Sequence, residues 1–152
     1  MAEQPFRWGI LSAANIARRR FVPGVRAGSE GIVAAVAARE MARAREFAAD
    51  LGIPRAYGSY EELLADPEID GVYIGLPNLL HTEWTVKAAA AGKHVLCEKP
   101  LSRRVSDVEQ MIAACNAAGV LLMEAFMFRH HPQHARVRDL LAAGAIGEPA
   151  FV

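Results

Sequence analysis

Runs of apolar residues alternate with helix-period stripes from one end of the chain to the other. Phe6–Ser12, Ile32–Ala38, Arg55–Tyr57, Gly71–Leu76, His94–Cys97 and Val120–Glu124 read as strands. Several of these runs are continuously apolar, as parallel strands covered on both faces must be. Between them, Met41, Ala44, Phe47, Ala48 and Leu51 make one apolar stripe, stopped by Gly52 with Pro54 just beyond. Leu80, Trp84 and Ala88 make a second that ends near Gly92. Val108, Met111, Ile112 and Cys115 make a third that stops at Gly119. Ser59 to Glu62 and Ser106 to Glu109 both fit S-x-x-E, in which serine and glutamate satisfy free amides at a helix start. Strand and helix alternating over short connections predict an α/β fold, a doubly wound parallel sheet with right-handed crossovers.

The tail breaks this rhythm. After LLMEAFMFRHHPQ the pattern predicts a helix over His134 to Ala143, then Gly144, Gly147 and a strand-like PAFV. The division expected is a dinucleotide-binding domain over 1–125, then a linking helix and first strand, 126–152, of an incomplete second α/β domain.

Composition narrows the classes. The chain has 152 residues, 53% of them hydrophobic, with 17 basic and 17 acidic side chains. That suffices for one domain with a real core and argues against disorder. Balanced charge gives no general pull toward nucleic acid or an anionic membrane. Arg18, Arg19 and Arg20 read as a solvated helix face. Met1 to Arg7 lacks an apolar leader core, and no apolar run reaches the length of a membrane span. Cys97 and Cys115 lack metal-ligand spacing and read as reduced core thiols, which points to the cytoplasm.

The first turn, GILSAANIA, carries the earliest chemical signal. In a dinucleotide-binding turn one glycine permits the bend, a second lets the backbone reach the pyrophosphate, and a third lets helix and strand pack closely. Here those places fall at Ser12, Ala14 and Ala17. Ser12 tolerates positive φ less well than glycine, and Ala14 adds a methyl where phosphate would pass. A helix N-terminus, with Asn15 as an extra donor, would still attract an anion. On these residues alone the turn is either a cofactor site or a structural corner.

Later segments carry more. GLPNLLHTEW and AAAAGKHVLCEKPLS, with MEAFMFRHHPQ after them, resemble the Gfo/Idh/MocA oxidoreductases, with Glu98-Lys99-Pro100, Pro77-Asn78 and His81 as the matching elements. The resemblance runs from about Arg7 to Val152. It implies a Rossmann domain followed by a second α/β domain, and hydride transfer between a nicotinamide cofactor and a sugar, polyol or related alcohol. The S-x-A turn looks most similar to sugar and dihydrodiol dehydrogenase members. By resemblance, Ser12, Ala13, Ala14, Asn15 and Ile16 make the phosphate turn. Ala38 and Arg39 lie at the ribose, and Leu76, Pro77, Asn78 and His81 flank the cofactor. Glu98 and Lys99 reach the reacting end, and Arg129 and His130 stand near the nicotinamide. Phe128 replaces a tyrosine found in many relatives, so that hydroxyl has no role here.

Lys99 is the catalytic candidate. Its place at the carboxyl end of a parallel strand is where open α/β sheets bind ligands. An ammonium there can hold the substrate oxygen, and partial burial would improve it as a proton acceptor. Pro100 is a candidate for a cis bond, and Glu98 would orient the lysine. With no acid at Ala38 and an arginine next, NADP is favoured, while Glu40 leaves NAD open. His130, His131 and His134 have no carboxylate partner and are read as binding no metal.

The family's second catalytic group is expected beyond Val152, so the chain alone is expected to bind cofactor and turn over poorly. A homo-oligomer is expected at full length. The alternative is a non-catalytic dinucleotide sensor or interaction module on the same fold.

Overall fold

The computed structural model describes residues 4–148 and Ala150. Its strands are β1 (Phe6–Leu11), β2 (Gly31–Ala37), β3 (Arg55–Tyr57), β4 (Gly71–Ile74), β5 (His94–Cys97) and β6 (Leu122–Glu124). They form one sheet in the order β3-β2-β1-β4-β5-β6, and every pairing is parallel. All six lie within or one residue beyond the runs the pattern predicts. The runs of β1, β2 and β4 overshoot at their carboxyl ends, where the chain bends out of the sheet to make the loops around the crevice.

Helices cover both faces. A helix opens at Asn15, widens into a π-helical turn over Ala17–Phe21, and continues as α1 (Val22–Ala27). The Val22 amide donates to the Ala17 carbonyl, five residues back. Pro23 accounts for the wide turn: it has no amide to donate, and in a regular helix its ring would collide with the Arg19 carbonyl. Next come α2 (Met41–Leu51), α3 (Tyr60–Leu64), α4 (His81–Ala90), α5 (Val105–Ala118) and α6 (Pro132–Ala142). Ile10, Val36 and Tyr73 pack with Ala17, Phe21, Val22, Phe47 and Ala48 on one face. Leu11, Ala37, Ile74 and Cys97 pack with Leu63, Trp84, Ala88 and Met111 on the other. The alternation of strand residues between these clusters is the period-2 rule seen from inside. Leu63 sits so close over β1 that a Cβ on Gly9 would lie 2.6 Å from its Cδ2. Emptying such a fully buried leucine site costs about 2–5 kcal/mol.

The helix ends partly follow the sequence signals. Gly52 and Gly119 take the left-handed conformation that closes α2 and α5 (φ +58 and +67). Ser59 accepts from the Glu62 amide at 3.1 Å, but the Glu62 carboxylate takes the Gly58 amide instead of that of Ser59. The second capping box is not made. Ser106 lies inside α5, whose start is organised by Ser102: its hydroxyl accepts from the Arg104 amide and donates to Asp107 at 2.7 Å. Ile112 is exposed, so the α5 stripe buries Met111 and Cys115. Helix α6 begins at Pro132, where a missing amide costs nothing, and His131 Nδ1 accepts from the Gln133 amide as its cap. The strand expected over PAFV lies outside the described residues, apart from Ala150.

The amino ends of the strands are pinned by charge. Asp70 accepts from the Arg7 amide at 2.7 Å and from its guanidinium at 3.2 Å, and the Lys93 ammonium donates to the carbonyls of Asp66 and Ile69. Among the described residues no helix is long and apolar enough to cross a membrane.

Candidate cofactor site

Strand order reverses between β1 and β4, and the loops leaving their carboxyl ends diverge to open a crevice. A cleft of about 390 Å³ occupies it, lined by Ser12, Ala13, Ala14, Ala38, Arg39, Glu40, Arg43, Tyr60, Gly75, Leu76, Pro77 and Leu80. The strand ends thus bring the first turn, the tip of β2 and the Leu76-Pro77 loop together.

Ser12 stands where a first glycine is usual, and it adopts φ +115, a region L-residues rarely enter. Its amide donates to the Ala37 carbonyl, and its hydroxyl donates to the Gly75 carbonyl at 3.0 Å. Two bonds to the neighbouring strand ends therefore hold a conformation that the residue type resists. A Cβ on Gly75 would come within 3.1 Å of the Tyr73 ring, so glycine keeps that wall flat. Beyond Ser12 the helix starts at Asn15, and its first amides have no intrahelical acceptor. Asn15 lines the adjoining groove with Arg18, Glu40, Arg43 and Glu46. Ile16 packs into the core behind the turn.

At the β2 end the cleft carries two guanidinium groups. Arg39, in the loop after β2, is the anticipated one; Arg43, in the first turn of α2, is the residue that sequence reasoning missed. Arg39 lies before the start of α2, so no helical spacing in the sequence linked the two. Burial pushes the Tyr60 phenol up, while the charges of Arg39 and Arg43, which line the same cleft, pull it the other way. The neighbouring Arg18 is spent elsewhere, paired with Asp50 at 2.9 Å and stacked over Phe47, so the arginine run is only partly a solvated face.

The Glu98-Lys99-Pro100 turn follows β5, and the Lys99–Pro100 bond is cis. Glu98 Oε2 accepts from the Lys99 backbone amide at 3.1 Å, and Oε1 accepts from the buried Tyr73 hydroxyl at 2.7 Å. Glu98 thus acts on Lys99 through the main chain. Desolvation and that carboxylate raise the Tyr73 phenol far above its ordinary range, so it serves only as a donor. The Lys99 side chain is exposed, so the burial anticipated for it is not supplied by these residues. Just before it, burial pushes the Cys97 thiol up to about 12, which leaves it inert.

His81 is the clearest revision. Its ring is fully buried, Nδ1 lies 3.0 Å from the Pro100 carbonyl oxygen, and Nε2 lies 2.8 Å from that of Leu76. Both nitrogens face main-chain carbonyl oxygens, to which the ring donates through whichever nitrogen carries a proton, so His81 sits as a brace between two loops and does not line the cleft. Asn78 and Arg129 are exposed and line other surfaces, Asn78 beside Ser102 and Arg104, and Arg129 in the short turn before α6.

A six-stranded parallel sheet in this order, with a cleft at its switch point and a charged β2 tip, defines a Rossmann-type dinucleotide-binding domain. Residues 6–126 match the Gfo/Idh/MocA model, an oxidoreductase family with an NAD-binding Rossmann fold, and the chain belongs to that family. It is 51% identical over 136 residues to D-xylose 1-dehydrogenase (NADP(+)) 2 of Haloferax volcanii, covering 90% of this chain and 42% of that protein. It is 45% identical over 148 residues to a trans-1,2-dihydrobenzene-1,2-diol dehydrogenase of Danio rerio, covering 96% and 44%. A 3-ketoreductase from Actinomadura kijaniata, crystallised with NADP and TDP-benzene, superposes with a TM-score of 0.89 at 43% identity, covering 95% of this chain and 44% of that one. The chain therefore spans less than half the length of these relatives.

Proposed function

We propose that this chain is the cofactor-binding part of an NADP-dependent oxidoreductase that moves a hydride to or from a carbon of a sugar, polyol or related alcohol. The observation that carries the reading is the convergence of Arg39 and Arg43 on one end of the switch-point cleft. A 2′-phosphate is the ligand group that two guanidiniums suit there, and the relatives whose names include NADP support it.

The residues present fit that cofactor. The first amides of the helix after Ala14 and the Asn15 side chain would hold the pyrophosphate, and Arg39 and Arg43 the ribose phosphate. Leu76 and Pro77 would form the wall beside the dinucleotide. When bound, the nicotinamide ring supplies the hydride or takes it. Lys99 would deliver a proton to the substrate oxygen as a carbonyl is reduced, and take the hydroxyl proton in the reverse direction. Exposed in this domain, it needs covering by substrate or by further chain.

The test is a titration with NADPH and NADH followed by nicotinamide fluorescence, then hydride transfer to a panel of aldoses, polyols and keto sugars. NADPH is expected to bind more tightly than NADH, with slow or no turnover by the 152-residue chain. No affinity for either dinucleotide would overturn the reading.

A further inference from the structure

Three successive backbone groups around Lys99 are each held by a side chain from a different element. The Lys99 amide donates to Glu98 at the end of β5, the Pro100 carbonyl meets His81 of α4, and the Leu101 amide donates to Glu124 Oε1 of β6 at 2.9 Å. The last bond is the least local, because 23 residues separate its partners. Strand register makes it. Glu124 is the partner of Cys97 across β5 and β6, and the Ala125 amide donates to the Cys97 carbonyl at 2.8 Å. The Glu124 carboxylate is thereby fixed at the carboxyl end of the sheet, where the turn comes back past it.

We propose that Glu124 is a positioning residue for Lys99: by holding the Leu101 amide it sets where the exposed lysine points relative to the bound dinucleotide. The inference rests on the reading of the cleft as a cofactor site. Leu101 packs against the core below the turn, so its amide is a fixed point from which the two preceding residues hang. A carboxylate-to-amide hydrogen bond is charge-assisted and short, which suits it to that task. Without it the turn keeps its Glu98 and His81 contacts but loses the tie at its far end. Glutamine, whose side-chain oxygen can accept from the same amide, would preserve the tie without the charge.

The chain has only three lysines, so Lys99 can be watched directly. Lys93 is buried against two carbonyls and Lys87 is ion-paired to Glu61 and Glu83 on the outside of α4. Reductive methylation with isotope-labelled formaldehyde gives a Lys99 dimethylamine resonance, assigned by its loss in Lys99→Arg, with Lys87 as the internal reference. Saturating NADP+ is expected to shift the Lys99 signal in the unmutated chain. Glu124→Ala should lose most of that shift while NADPH affinity, read by fluorescence, changes less than about threefold. Glu124→Gln should retain the shift. An undiminished shift in Glu124→Ala overturns the proposal. Equal loss in both variants overturns it too, because the charge and not the acceptor would then matter. An unmutated Lys99 signal indifferent to NADP+ removes the underlying reading and the proposal with it, and that failure is recognised because it occurs without any substitution at Glu124.

Discussion

The hydroxyl of Ser12 donates to the carbonyl oxygen of Gly75 at 3.0 Å, tying the ends of β1 and β4 together where strand order reverses. Ser12 holds φ +115 to do so. A non-glycine residue in such a region costs about 1–3 kcal/mol, and a neutral hydrogen bond returns about 0.5–1.5 kcal/mol. Ser12→Ala keeps the strain and loses the bond, whereas Ser12→Gly loses both. In urea titrations the glycine variant should therefore be the more stable of the two by about 1–3 kcal/mol. An alanine variant equal to or better than the glycine one would show that the turn is not strained.

Ala14 lines the cleft at the second glycine place of the turn. A valine there adds two methyl groups to a half-buried residue where the pyrophosphate would approach. Ala14→Val should abolish NADPH binding while the thermal transition stays within a few degrees of the parent. Retained binding would place the phosphates elsewhere.

Arg39 and Arg43 should act on one cofactor and spare the other. Replacing either by alanine is expected to weaken NADPH roughly tenfold, the scale of a hydrogen bond to a charged group, and to leave NADH within about threefold. Isothermal titration with both dinucleotides checks this. Equal losses for NADPH and NADH would mean that the arginines bind the adenosine and not its 2′-phosphate.

At the opposite end of the sheet, the Arg7 guanidinium holds the Asp70 carboxyl below its usual range, against an opposing effect of burial. A carboxyl depressed in the folded state stabilises the protein above its unfolded-state pKa, and that stability is lost as pH falls through the folded value. Asp70→Asn should thus lower stability at about pH 7 by on the order of 1 kcal/mol, since both partners are partly exposed, and flatten the loss of stability below about pH 4. Parallel acid limbs in the two proteins, followed by circular dichroism, would assign acid unfolding to other groups.

What could be read from the chain beforehand was whatever depends on near neighbours in sequence. Strand runs, the glycine stops at Gly52 and Gly119 and the placement of Lys99 after β5 are all local, and they stand as expected. The Ser106 box failed for a local reason as well: Ser102 and Asp107 offered a competing arrangement that the pattern could not rank. His81 and Glu124 were illegible in another way. Each works through a main-chain group brought alongside by packing or by the β5–β6 register, and no spacing in the sequence announces that. Arg43 lay in between. Its closeness to Arg39 in sequence was visible, but its facing into the cleft depends on how α2 packs against β2.

The wide turn at Ala17–Phe21 also gives the first helix two independent phases. Asn15, before it, faces the groove beside the crevice, while Phe21 at its end and Val22 after it pack with Trp8 and the strands. One residue of a regular helix advances the face by about 100°. Removing a single arginine from the turn would therefore rotate one half against the other and force either the phosphate amides or the core contacts out of register. Sequence length in this short segment is consequently under tighter constraint than its run of three arginines would suggest.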